Sequence, residues 1–264
     1  MRLSRFAAPL AAAALTALAG APARATWSIV AVEPETGEVG IAGASCIGGS
    51  IVLAGVVPGR GVIAAQAFTN RDGRDTGMDR LAARASPQAI IEEIASPGFD
   101  WLGFLPLYRL RQYGVVSLDF PDAPASFTGD WSLAWHGAAR GRGVSVQGNT
   151  LYGPEVVADA LDAYRASAAR CPLVDRLQLA LEAGAARGGD RRCSKEQAAL
   201  SAFLIVARPK DHASAPWLRL VAPDQAKGEA NPVLLLREEL ETWRAQQGEA
   251  APRCAPARVD QTAR

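Results

Sequence analysis

Thr26-Trp27-Ser28-Ile29-Val30-Ala31-Val32, then Glu33-Pro34-Glu35-Thr36-Gly37-Glu38, then Val39-Gly40-Ile41-Ala42-Gly43-Ala44, is the stretch whose reading decides the fold. Two apolar runs, over 26–32 and 39–44, flank a segment with a proline and a glycine, and this predicts a β-hairpin. A second pair of runs, 51–57 and 62–68, is divided by Pro58-Gly59-Arg60-Gly61, so four strands are expected in succession. The spacing then changes to helical between residues 76 and 94, with Met78, Leu81, Ala82 and Ala85 on one face and Ser86-Pro87 as a cap and restart. Strands are expected again at 115–118, 125–127, 132–135 and 144–147. Helices follow at 154–165 and 172–186, strands at 199–207 and 217–221, and a last helix from Asn231-Pro232 to about Ala245.

Strands come in groups rather than alternating one by one with helices. That order departs from a doubly wound parallel sheet and fits an α+β protein of layered antiparallel sheets with helices packed outside. No repeat and no Pro/Ser linker divides the chain, so one domain is expected over 26–246 with a loose tail at 247–264. Residues 99–113 concentrate Phe99, Trp101, Phe104, Tyr108 and Tyr113 in a chain with 6% aromatic residues. This segment reads as a binding flap, an oligomer contact or a packed excursion over the core.

The residues before Thr26 have the pattern of a secretory leader. Arg2 and Arg5 supply a charged start, 7–19 an apolar run, Gly20 and Pro22 a break, and Ala23-Arg24-Ala25 a small-residue cleavage site. The run is shorter than the roughly 20 residues that span a bilayer, and no later stretch is suited to membrane insertion. The expectation is a periplasmic or secreted protein, cut after Ala25. Losing residues 1–25 removes Arg2, Arg5 and Arg24, which takes the basic count from 28 to 25 against 27 acidic residues. Such a balance offers no electrostatic footprint for nucleic acid or an anionic membrane.

Cys46, Cys171, Cys193 and Cys254 include no CxxC pair, which removes zinc-ribbon and thioredoxin-like readings. In an oxidising compartment they suggest up to two disulfides, with three pairings open. No phosphate loop, HExxH pair, EF-hand loop or GxSxG elbow occurs, and His136 and His212 have no nearby acid at metal-ligand spacing. No metal and no cofactor is expected.

Cleavage after Ala25 makes Thr26 an N-terminal residue. A threonine hydroxyl is a weak nucleophile until a base takes its proton, and an α-amine with an ordinary pKa near 8 is partly neutral at physiological pH. One residue then carries both nucleophile and base, and the amine can later protonate a leaving group. The plain alternative is that Thr26 begins a strand, where threonine is common.

Several blocks resemble one family. They are Thr26-Trp27-Ser28-Ile29-Val30-Ala31 with Pro34-Glu35-Thr36-Gly37-Glu38, Gly40-Ile41-Ala42 and Ala44-Ser45; Gly61-Val62 with Ala65-Gln66-Ala67 and Asn70; Gln147-Gly148-Asn149-Thr150-Leu151 with Gly153-Pro154-Glu155-Val156-Val157; and Leu181-Glu182-Ala183-Gly184 with Gly188-Gly189-Asp190-Arg191-Arg192. In order and spacing they are similar to the domain-of-unknown-function family 1028, DUF1028, which is grouped with the N-terminal-nucleophile (Ntn) hydrolases. The resemblance implies a four-layer αββα sandwich of two antiparallel sheets and amide hydrolysis through an ester on the first residue.

Helpers to Thr26 are assigned more loosely. Asn149 follows a glycine at a strand end, where its amide either donates to an oxyanion or caps the next helix. Asp190 either orients the Thr26 amine or forms a structural pair with an arginine. Ser45 is placed to hydrogen-bond the nucleophile, and Gln66 and Asn70 to hold a substrate amide. The chain departs from the family where Cys46 follows Ala-Ser and Cys193 follows the Gly-Asp-x-Arg run. Because the resemblance puts both segments near Thr26, it implies a Cys46–Cys193 disulfide and leaves Cys171–Cys254 as the second pair.

The first functional reading is an exported amidohydrolase acting on a small molecule or peptide. The alternatives are a non-catalytic periplasmic binding or interaction protein on the same sandwich, and a structural subunit, homo-oligomeric through the aromatic segment.

Overall fold

A computed structural model describes residues 26–99, 106–131, 134–248 and 253–254. The expected leader, Trp101, Phe104, Ser132, Leu133 and most of the tail beyond 248 lie outside the described residues. Among the described residues no helix is long and apolar enough to cross a membrane.

Among the described residues ten strands form two antiparallel sheets. The larger contains β1 (Thr26–Glu33), β2 (Glu38–Ser45), β7 (Trp135–Gly141), β8 (Val144–Leu151), β9 (Ser201–Ala207) and β10 (Leu218–Val221), in the order β10-β9-β2-β1-β8-β7. The smaller contains β3 (Ala54–Val57), β4 (Gly61–Ala67), β5 (Arg111–Ser117) and β6 (Ala125–Thr128), in that order. Five α-helices lie among the described residues: α1 (Arg71–Ala82), α2 (Pro87–Ile94), α3 (Glu155–Ala166), α4 (Leu173–Ala186) and α5 (Pro232–Gln247). The first two cover the outer face of the smaller sheet and the other three the outer face of the larger.

Period-two alternation explains the layering. In β1, Trp27, Ile29 and Ala31 point to the α3–α5 layer, where they pack with Leu177, Leu181 and Val156. Val30 and Val32 point the other way and meet Val62, Ala64 and Val116 of the facing sheet. On the far side of that sheet Ile63, Ala65, Tyr113 and Val115 pack under Leu81, Ile90 and Ile94 of α1 and α2. Strands buried on both faces give nearly continuous apolar runs, which is why β1, β2 and β9 are so evident in the sequence.

Three expectations need correction. The run at 51–57 is a strand only from Ala54, because Ser50–Leu53 closes into a 3-10 turn after Gly49, whose φ is 69°. The first helix starts at Arg71, not Thr76. Asn70 caps it by accepting from the Gly73 amide, and its buried side is made partly by Gly73 and Gly77, which a search for apolar periodicity passes over. The strand expected at 132–135 runs from Trp135 to Gly141, half-exposed at the sheet edge and rich in glycine and alanine.

In the aromatic segment, Phe99 packs against the α1–α2 core and Tyr113 lies within it, so its described part is a packed excursion. Both disulfides are present: Cys46–Cys193 joins the end of β2 to the loop after α4, and Cys171–Cys254 ties the chain beyond α5 to the α3–α4 junction.

Candidate active site

Thr26 is the first residue of β1, held on both sides: its register partner in β8 is Asn149, and Trp27 beside it pairs with Ala44 of β2. It has the parity of Ser28, Val30 and Val32, so its side chain faces the smaller sheet. At this end the space between the sheets is polar. Ser28 and Thr26 of β1, Ser45 of β2, Gln66 of β4, Gln112 of β5, and Gln147 and Asn149 of β8 are all buried there.

Buried polar groups must find partners, and here they find one another. Ser28 Oγ donates to Gln66 Oε1 at 2.7 Å and accepts from Gln147 Nε2 at 2.7 Å. Gln66 Nε2 donates to Gln112 Oε1 at 2.7 Å and approaches the Thr26 carbonyl at 3.4 Å. Asn149 Nδ2 also donates to Gln112 Oε1, at 3.0 Å, while Gln112 Nε2 reaches the Gly148 carbonyl at 2.8 Å and Thr128 Oγ1 at 2.9 Å. Gly114 has to be a glycine for this mesh to fit, since a Cβ there would come within 2.1 Å of Gln147 Oε1.

The Thr26 hydroxyl donates to Ser45 Oγ at 3.2 Å. Ser45 Oγ also faces Arg192, whose Nη2 lies 3.5 Å away. Arg192 in turn grips the fully buried Asp190 carboxylate through Nε at 3.1 Å and Nη2 at 2.8 Å. Asp190 further accepts from the Cys46 amide at 2.6 Å and the Arg192 amide at 3.0 Å. The Asp190 loop is thus clamped to the end of β2 by hydrogen bonds and by the Cys46–Cys193 disulfide. Gly189, at φ 54°, sits so close to Trp27 that a Cβ would be 2.6 Å from the indole ring. Ala67, Thr150 and Ala198 adopt φ of 69°, 53° and 59°, a left-handed conformation that costs non-glycine residues energy. Two of these directly follow Gln66 and Asn149, and the third carries the carbonyl that accepts from the Asp190 amide at 3.0 Å.

Of the residues singled out from the sequence, Thr26, Ser45, Gln66 and Asn149 come together. Asp190 enters at one remove, holding Arg192 and the Cys46 amide. Asn70 caps α1 and lines a cleft of 220 Å³ beyond the end of β4 with Phe68, Phe99 and Arg111. There Arg111 donates to the carbonyls of Phe68 and Thr69 and stacks 4.7 Å above the Phe68 ring, fixing the loop into α1. Sequence reading gave no role to Ser28, Gln112, Gln147 or Arg192. The first three had a usable signal, because each is a polar residue on the inward parity of an apolar strand. Among the described residues, no group of three or more His, Cys, Asp or Glu side chains is placed to hold a metal ion.

The fold is similar to that of the crystal structure of protein SPO2555 from Silicibacter pomeroyi, itself described by the family model DUF1028. The TM-score is 0.66 at 21% sequence identity, covering 83% of this chain and 88% of that one. No curated protein matches the chain. The model of the family of unknown function DUF1028 matches residues 26–230, the span that contains both sheets and every residue of the polar cluster, and the chain belongs to that family.

Proposed function

We propose that this chain is an exported hydrolase of the Ntn type, which cleaves an amide bond with Thr26 as nucleophile once residues 1–25 have been removed. The observation that carries the reading is the Thr26 hydroxyl at the head of a central strand, hydrogen-bonded to Ser45 with the Arg192 guanidinium on Ser45's other side. The freed Thr26 amine takes the hydroxyl proton as Oγ1 attacks the substrate carbonyl. A cation nearby favours the neutral form of that amine, so Arg192 helps it act as a base. The oxyanion is met by the second Nδ2 hydrogen of Asn149, the first being given to Gln112. The protonated amine passes its proton to the leaving nitrogen, the C–N bond breaks, and water then hydrolyses the ester to release the acid and restore Thr26.

The four-layer order and the place of Thr26 at the start of an inner strand support the Ntn assignment. Two disulfides support maturation in an oxidising compartment.

The non-catalytic binding reading draws on one observation, that Thr26 is fully buried. Sequencing the N-terminus of the exported protein and labelling it with an electrophilic acylating probe distinguishes the two. The hydrolase reading expects Thr26 as first residue, label on Thr26, loss of label in Thr26→Ala with an unchanged melting temperature, and partial retention in Thr26→Ser. A different first residue, or labelling unchanged by Thr26→Ala, overturns it.

A further inference from the structure

The other end of β1 opens onto a cleft of 710 Å³, formed by the β1–β2 turn, the β7–β8 turn and the α3–α4 junction. Glu33 and Glu35 lie on the first wall, Arg142 on the second, and Tyr164, Arg165 and Arg176 on the third. Nothing in the Thr26 chemistry uses these residues.

Their charges are arranged in two unfinished halves. Arg176 is 8% exposed, lies 4.0 Å over the Tyr164 ring and gives Nη1 to Glu33, yet its buried Nε–H meets no acceptor among the described residues. Arg142 pairs with Asp122 at 2.9 Å, and Arg165 gives Nη2 to the Arg140 carbonyl at 3.0 Å. This part of the cleft is cationic, and a guanidinium matches a carboxylate. On the facing wall Glu33 and Glu35, two residues apart at the β1–β2 turn, both line the cleft. Burial, with Glu35 adding to it, pushes Glu33 up to about 7, so this wall resists a second negative charge and favours a cation beside it. A divalent metal is disfavoured as that cation, because no third acidic, histidine or cysteine ligand completes a set among the described residues. An ammonium group, needing only acceptors for its hydrogens, fits a carboxylate pair.

We propose that this cleft binds a small zwitterion of the α-amino-acid class, its ammonium on Glu33 and Glu35 and its carboxylate on Arg176, with Arg142 and Arg165 at the rim. Within the chain the two walls are joined by the Arg176–Glu33 ion pair. The ligand exchanges that one contact for two. The volume is large enough for an amino acid with any standard side chain.

Isothermal titration of the full chain with the standard α-amino acids tests this, with putrescine as a cation-only probe and succinate as an anion-only probe. At least one amino acid should bind more tightly than either control. Glu35→Gln, an exposed change compatible with folding, should weaken that binding about tenfold or more with the melting temperature unchanged. Arg176→Lys, which keeps the charge but removes the planar fork, should weaken it similarly, while Thr26→Ala should leave it intact. The proposal fails if no amino acid binds, if putrescine or succinate binds as tightly as the best amino acid, or if Glu35→Gln binds like the parent.

Discussion

The space between the two sheets has two ends built on opposite principles. Toward the β1–β2 turn it is filled by Val30, Val32, Val39, Ile41, Val62 and Ile205, which need only shape to pack. Toward Thr26 the same strands, on the same parity, present Ser28, Ser45, Gln66, Gln112, Gln147 and Asn149, which need partners in particular places. An apolar layer tolerates small shifts, whereas a buried hydrogen-bond network has few arrangements that satisfy every member. The polar end thus fixes positions to within a hydrogen bond, and the proposed nucleophile Thr26 lies there.

The largest expected effect comes from the covalent clamp on the polar end. Replacing Cys46 and Cys193 by serine should cost about 4 kcal/mol, read as a fall in urea midpoint. Serine at Cys171 and Cys254 should cost a similar amount, yet only the first pair should alter probe labelling at Thr26. Equal effects on labelling would erase the distinction between the ends. Next, Gln112→Leu strands Gln66, Asn149 and the Gly148 carbonyl together, and should cost about 3 kcal/mol. Ile41→Val at the apolar end removes a single methylene and should cost about 1 kcal/mol. Denaturant titration of both variants checks the ratio, and a larger loss at Ile41 would reverse the comparison.

The smallest effect is a pH dependence at the turn end, where Glu33 faces Arg176, Glu35, Glu38, Arg142 and Tyr164. Its carboxyl is raised to about 7 from 4.5, first by burial and then by Glu35, with Arg176 opposing. Between those values the folded chain keeps a proton that the unfolded chain releases. This group's stabilisation is therefore complete below about 4.5 and is lost as pH rises through about 7. Glu33→Gln should flatten that part of the profile in urea titrations between about pH 5 and about pH 8, by a small amount because Glu33 is partly exposed to solvent. A slope that persists in the variant would assign the dependence to another group.

Much of this was legible in the sequence, for reasons that differ by residue. Strands β1, β2 and β9 are buried on both faces and largely apolar, and stand out at once. Helices α3, α4 and α5 announce themselves through Pro154, Pro172 and Pro232 at their starts. The edge strand β7 has too little buried surface to leave a pattern, and α1 packs through glycines. At the site, Thr26 follows from the expected cleavage after Ala25, Ser45 and Asn149 from their places at strand ends, and Gln66 from the family resemblance. Arg192 does not, because its placement depends on how the loop after Gly188 and Gly189 turns back, with φ of 94° and 54°, to bring Asp190 under Cys46.

Strand β1 spans the distance between the two sites, Thr26 at one end and Glu33 at the other, and the Cys171–Cys254 bridge brings the chain beyond α5 to the rim of the Glu33 cleft. Handles attached to this protein are consequently not interchangeable. A tag fused ahead of Thr26 occupies the nitrogen that the hydrolase reading depends on, whereas one fused after Cys254 crowds the cleft and leaves Thr26 alone.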